Sequence, residues 1–171
     1  LFELLENLDI KEFEILMFAK KNLKKSYTYL AMEENLTHLP QGKMRNLAKE
    51  HLLEKKDVVL ENIIRVLAIH DQTGRMKTAW RGIFSPDTRQ RANAIELLSD
   101  ILDRKTFNSM LPLLESPTPE MALTEGRKIV KIPKLDPEGK EVLSNLLTSE
   151  DWVDVLMGLN LINEDPTRYD A

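Results

Sequence analysis

Arg75, Lys77, Arg81, Arg89 and Arg91 surround Trp80, and Asp87 is the only acid between positions 75 and 91. Guanidinium groups beside an indole can grip a phosphate or stack on a base, and a helix starting at Pro86 would add backbone N–H donors for an anion. These residues form a basic island in an otherwise acidic chain and are a candidate surface for an acidic or phosphate-bearing partner. Trp80 also follows Met76 and precedes Ile83 at helical spacing, which suits a core anchor equally well. Both roles stay open at this point.

Other constellations carry less chemistry. Glu96, Asp100 and Asp103 recur at i, i+4 and i+7, so they would lie along one helix face. That face is either an acidic recognition strip or a solvated surface answered by Arg104 and Lys105. The histidines His38, His51 and His70 are scattered, without the His-Glu-x-x-His spacing that places two metal ligands on one helix face, and no metal site is expected. His70 continues an apolar stripe as a helix-end histidine, and His38 falls in a turn. Six scattered glycines form no phosphate-cradling loop and no nucleophile elbow, so neither a cofactor nor a catalytic residue is expected. Lys20, Lys21, Lys24 and Lys25 make a second basic patch, a solvated face that could also meet anionic headgroups near a membrane.

Composition bounds the class. The 171 residues are 42% apolar and 30% charged with a net charge of −4, which fits one globular domain over 1–171. No run approaches the roughly 18 consecutive apolar residues of a membrane span. The absence of cysteine removes disulfides and thiolate metal sites, and a cytoplasmic setting is the expectation. The chain opens on Leu1 without a methionine or a secretory leader, as expected of a piece of a longer polypeptide.

The elements that would position these residues read as helix almost throughout. Asp9-Ile10-Lys11-Glu12 has a capping-box pattern, followed by an apolar stripe of Phe13, Leu16, Met17, Leu23, Tyr27, Leu30 and Ala31. A second stripe runs from Met44 through Leu47, Ala48, Leu52, Val59, Ile63 and Val66 to Leu67, with a break expected near Lys55-Lys56-Asp57 and a stop at Gly74. Met76, Ala79, Trp80 and Ile83 mark a shorter helix, and Ser85-Pro86 reads as the cap and first residue of the next. Thr106 to Leu114 makes a helix that Pro112 kinks or restarts. Residues 116–135 read as an insertion loop. Asp136-Pro137-Glu138 opens a helix with Val142, Leu143, Leu146 and Leu147 inward. Thr148-Ser149-Glu150-Asp151 opens the last, whose buried side is expected to be Trp152, Val155, Leu156 and Leu159. The pattern predicts an all-α fold of about seven or eight helices, an α-solenoid or irregular helical array with one insertion loop.

The stretches Ser85 to Ala92 and Thr148 to Val155 share an order of polar cap, acidic first turn and apolar helix, and in this they resemble HEAT repeats. More narrowly, Glu61 to Ile69, Arg91 to Leu102, Leu111 to Leu114 and Asp151-Trp152 resemble the soluble helical-repeat region attached to bacterial ATP/ADP-translocase-like transporter proteins. The resemblance implies a non-enzymatic scaffold or regulatory module of a larger, membrane-tethered protein, binding a protein partner or its own neighbouring domain. HEAT-like DNA glycosylases also combine a tryptophan, a carboxylate and a basic surface, so a nucleic-acid-binding reading with Trp80 and Asp87 is the alternative. A purely structural packing domain is the third.

Overall fold

The computed structural model describes residues 11–71, 73–134 and 138–164. Among the described residues eight α-helices follow in order: α1 (Glu12–Leu36), α2 (Lys43–Leu67), α3 (Arg75–Ile83), α4 (Thr88–Ile101), α5 (Arg104–Glu115), α6 (Pro119–Gly126), α7 (Lys140–Leu147) and α8 (Trp152–Glu164). A short 3-10 turn, Ala68–His70, follows α2, and no strand occurs among the described residues. The described residues form an all-helical fold, as the apolar periodicity predicts. Among the described residues no helix is long and apolar enough to cross a membrane. Asp9, Asp136, Pro137 and the His70 side chain, which the sequence reading used, lie outside what is described.

Two 25-residue helices, α1 and α2, pair as an antiparallel hairpin, and the other helices pack on it. Three core clusters lie along this hairpin. At one end Ala19 and Leu23 of α1 and Leu60, Ile63 and Ile64 of α2 meet Met76, Ala79, Ala94, Leu98 and Met110 from α3 to α5. In the middle, Tyr27, Leu30 and Ala31 meet Ala122, Leu123 and Ile132. At the other end, Met32, Leu36, Ala48 and Leu52 meet Val142, Leu146 and Leu161. Polar ties fix the register. Ser26 Oγ donates to the Lys56 carbonyl at 3.2 Å, and the fully buried Tyr27 donates its hydroxyl to the Ser109 carbonyl at 2.9 Å. Burial pushes the Tyr27 phenol far above its ordinary range, so it stays a neutral donor.

Several local expectations are corrected. The helix α1 starts at Glu12, with the Lys11 N–H donating to the Glu14 carboxylate at 3.1 Å. Its buried stripe begins with Ile15 and Ala19, not with Phe13, Leu16 and Met17, which are exposed. Both sets fit the helical period, and the face carrying Ala19 and Leu23 is the one that packs with Leu60, Ile63 and Ile64 of α2. The helix α2 runs unbroken through Lys55-Lys56-Asp57, and Gly74 precedes α3 instead of closing α2. Asp87, not Ser85, caps α4 by accepting from the backbone N–H groups of Arg89 and Gln90, and Pro86 stays outside the helix. The helix α5 continues through the buried Pro112.

Residues 116–135 are not a loop throughout. Thr118 caps α6 by accepting from the Met121 N–H, Pro119 occupies the first turn where a missing donor costs nothing, and Ala122, Leu123 and Ile132 enter the core. Gly126 lies so close to Tyr27 that an added Cβ would overlap the ring, with Ile132 behind it. Gly126→Ala should therefore lower the free energy of unfolding by about 1–3 kcal/mol, the cost of overpacking a close-packed core. Urea titration reads this directly, and a midpoint unchanged from the parent would mean that α6 is not seated on Tyr27.

Candidate functional site

The basic island is divided by the fold. Arg75 pairs with Asp100 at 3.6 Å, across the α3–α4 hairpin. Trp80 is half-buried against the core; its indole N–H donates to Glu61 at 3.2 Å, and the Arg65 guanidinium, itself paired with Glu61, lies 5.0 Å from the ring centroid. The anchor role of Trp80 is therefore the one the structure fills. Lys77, Arg81, Arg89 and Arg91 are exposed, and none has an ion pair among the described residues. Gly82 abuts Gln90 and Ala94, so Arg81 shares one end of the hairpin with Arg89 and Arg91. The two arginines of α4 occupy its first turns, where the helix dipole disfavours cations. Asp87, their local acid, is engaged in capping.

The acidic strip is likewise taken apart. Asp103 caps α5, and hydrogen bonds from the Thr106 side chain and from the Thr106 and Lys105 N–H groups hold its carboxyl below the ordinary range. Asp100 answers Arg75, while Glu96 is left on the surface.

A different cluster is assembled from residues about a hundred positions apart. The Lys55 ammonium bridges Asp151 Oδ2 at 2.8 Å and Asp154 Oδ2 at 2.6 Å. His51 Nε2 donates to Asp154 Oδ1 at 2.7 Å, and Ser149 Oγ donates to Asp154 Oδ2 at 2.6 Å. His51 and Lys55 share one face of α2 at i, i+4, while Ser149, Asp151 and Asp154 come from the turn and first residues of α8. Burial alone would raise the Asp154 carboxyl, but hydrogen bonds from Lys55, Ser149 and His51 outweigh it and hold the group below the ordinary carboxylate range. Asp151 is lowered chiefly by its bond to Lys55. Burial acts against the Lys55 ammonium, yet the two carboxylates prevail and raise its pKa.

Ligand atoms of His51, Asp151 and Asp154 lie within 4.8 Å of one another, a spacing a metal ion would accept. Lys55 already supplies the positive charge between the two carboxylates, and every member of the cluster has a partner. The cluster clamps α8 to α2. Sequence reading missed it, although Asp154 is the only charge between Trp152 and Asn163 and so stands out on an apolar helix.

That clamp turns α8 over. Asp154, Gly158 and Leu161 face inward, whereas Trp152, Leu156 and Leu159, expected to be buried, are 73%, 44% and 53% exposed. The side of α8 presented to solvent is thus an apolar stripe with a tryptophan at its head. Beside the clamp, α1, α2 and the Ser149–Val153 turn border an open groove of about 1030 Å³. A smaller hollow of about 380 Å³ lies between the end of α5 and α6, lined by Leu111, Pro112, Glu115 and Ile129 among others.

No protein family, no curated protein and no solved structure matches this chain. Its surfaces must therefore be read from their own chemistry.

The clamp gives a pH signature. A carboxyl whose folded pKa is depressed contributes stability above its unfolded pKa of about 3.9, and that contribution is lost as pH falls through the folded value. Asp154→Asn should therefore destabilise the protein at pH 7, and the gap to the parent should narrow as pH is lowered toward 3. Urea unfolding of both proteins at several pH values measures the gap, and a gap independent of pH would remove Asp154 from the ion-paired role.

Proposed function

We propose that this chain is a non-enzymatic interaction module of a larger protein or assembly, and that the outer side of α8 makes its main contact. The observation that carries this reading is the exposed Trp152, Leu156 and Leu159 stripe at i, i+4 and i+7 on a helix with no charge from Val155 to Asn163. Contiguous apolar surface of this kind marks a site that another surface covers. An aromatic anchor at its head is the residue type that dominates interface energetics. With no charge on the stripe, the fitting occupant is an uncharged apolar face of another protein helix, supplied by a partner protein or by a neighbouring domain of the same polypeptide. A non-catalytic role agrees with the Lys55 cluster, whose titratable groups are all bonded to one another.

The finer architectural reading, a HEAT-like stack, is part of the proposal for α3 to α6, whose hairpins follow one another and touch in order. The setting as the cytosolic portion of a transporter-like membrane protein rests on the sequence resemblance.

A second contact is favoured by a separate observation: the exposed cations Lys77, Arg81, Arg89 and Arg91 lack ion pairs among the described residues, and two of them sit at the positive end of α4. This end suits an acidic protein segment or a phosphate group. The indole-stacking form of the nucleic-acid reading loses its platform, since Trp80 is engaged by Glu61 and Arg65.

A photo-reactive residue placed at Leu156, in cells making the native protein, should yield one dominant protein adduct or an intramolecular link to a neighbouring domain. The same probe at Glu96 should yield neither, and Leu159→Glu should abolish the Leu156 adduct. Equal diffuse labelling from both positions would end the α8 reading. For the basic end, Arg81→Glu combined with Arg89→Glu should weaken binding of a polyglutamate peptide about tenfold at low salt, with the helical circular-dichroism signal unchanged. Unchanged affinity would dismiss that contact.

A further inference from the structure

The groove along the long hairpin has a regular construction. On α1, Phe18, Asn22, Lys25 and Tyr29 recur at steps of four, three and four; on α2, Glu54, Val58 and Asn62 recur at steps of four. These are the ridges that a third helix packs between. From His51 to Asn62 the α2 wall is about 17 Å long at 1.5 Å per residue, which is three turns of helix. The Ser149–Val153 turn borders the His51 end, so among the described residues the Phe18 end is the open one.

The walls differ in charge. Lys25 lines the α1 side, 5.7 Å from the Tyr29 ring, with the exposed Lys21 and Lys24 beside it. Glu54 lines the α2 side, and Glu150 stands at the closed end. None of these five has an ion pair among the described residues, whereas Lys55 on the floor is neutralised by Asp151 and Asp154. Apolar surface runs between the charged walls, with Phe18 38% and Val58 48% exposed. A small molecule would use little of so long and open a trough, but a helix with an apolar stripe would cover it.

We propose that this groove is a docking site for an amphipathic helix of about three turns. Its apolar stripe would cover Phe18, Tyr29 and Val58, and its two edges would carry opposite charges, carboxylates toward Lys25 and a basic side chain toward Glu54. The site is separate from the α8 stripe, which faces outward.

The test uses the full 171-residue chain and a synthetic, fluorescein-labelled helical peptide. Leucines form its stripe, glutamates one edge and lysines the other; a second peptide carries glutamate on both edges. Fluorescence anisotropy should show saturable binding of the first peptide and about tenfold weaker binding of the second, because like charges against Glu54 are penalised. Val58→Asp should reduce affinity at least about tenfold. Lys25→Glu and Glu54→Lys should each weaken it, and the double variant should restore it, the peptide entering in the reverse direction. Both side chains lie at the surface, so the thermal midpoint of each variant should match the parent. Equal affinity for the two peptides, or binding insensitive to Val58→Asp, would overturn the proposal. So would binding lost with Leu156→Glu, which would move the peptide to α8 and leave the α8 reading intact.

Discussion

The close pairing of α1 with α2 is the constraint on which everything else depends. An isolated pair of 25-residue helices would bury one seam and leave its flanks wet. Here the flanks are covered by three groups of shorter helices, and each group closes one core cluster along the same two rods. None of the short helices is long enough to persist alone in water, since helices under about 12–15 residues are marginal without tertiary packing. Their formation is therefore coupled to the hairpin. The groove remains where no further helix arrives among the described residues.

Much of this was legible in the residues, and the failures share a cause. The α3 helix with Met76, Ala79 and Ile83 inward, and α7 with Val142, Leu143 and Leu146 inward, each offer a single apolar stripe, so periodicity alone orients them. At the start of α1 and throughout α8 the sequence is apolar on more than one face, and the period cannot choose. For α8 the choice falls to Asp154, whose carboxylate is drawn inward by Lys55 and His51. A local reading treats an acid as an outward-facing residue. The partners that reverse that rule lie in a helix far upstream.

The candidate surfaces show the same division. The basic residues of α3 and α4 are neighbours in sequence, so their clustering was visible, but Glu61 and Arg65, which engage Trp80, come from α2. Asp87 read as the lone acid of the basic island and Asp103 as one of a line of charges, yet both act as caps, because a side chain one residue ahead of a helix finds backbone donors before it finds solvent partners. The helix α6 was missed within the expected 116–135 loop, although Thr118 and Pro119 form a cap followed by a first-turn proline. The glycine at its end, Gly126, lies where a side chain would overlap the ring of Tyr27.

One junction joins the end of α8 to the start of α2. Glu164, the last residue of α8, accepts from the N–H groups of Lys43 and Met44 at 2.9 and 3.1 Å and so caps the start of α2, whose own cap position is the side-chain-less Gly42. A Cβ on Gly42 would collide with that carboxylate. The donor and acceptor are 121 residues apart. During ribosomal synthesis the second rod of the hairpin thus emerges with its leading amides unanswered, and it is completed only when Glu164 has left the exit tunnel. A nascent chain halted short of that residue would leave the Lys43 and Met44 amides to water alone.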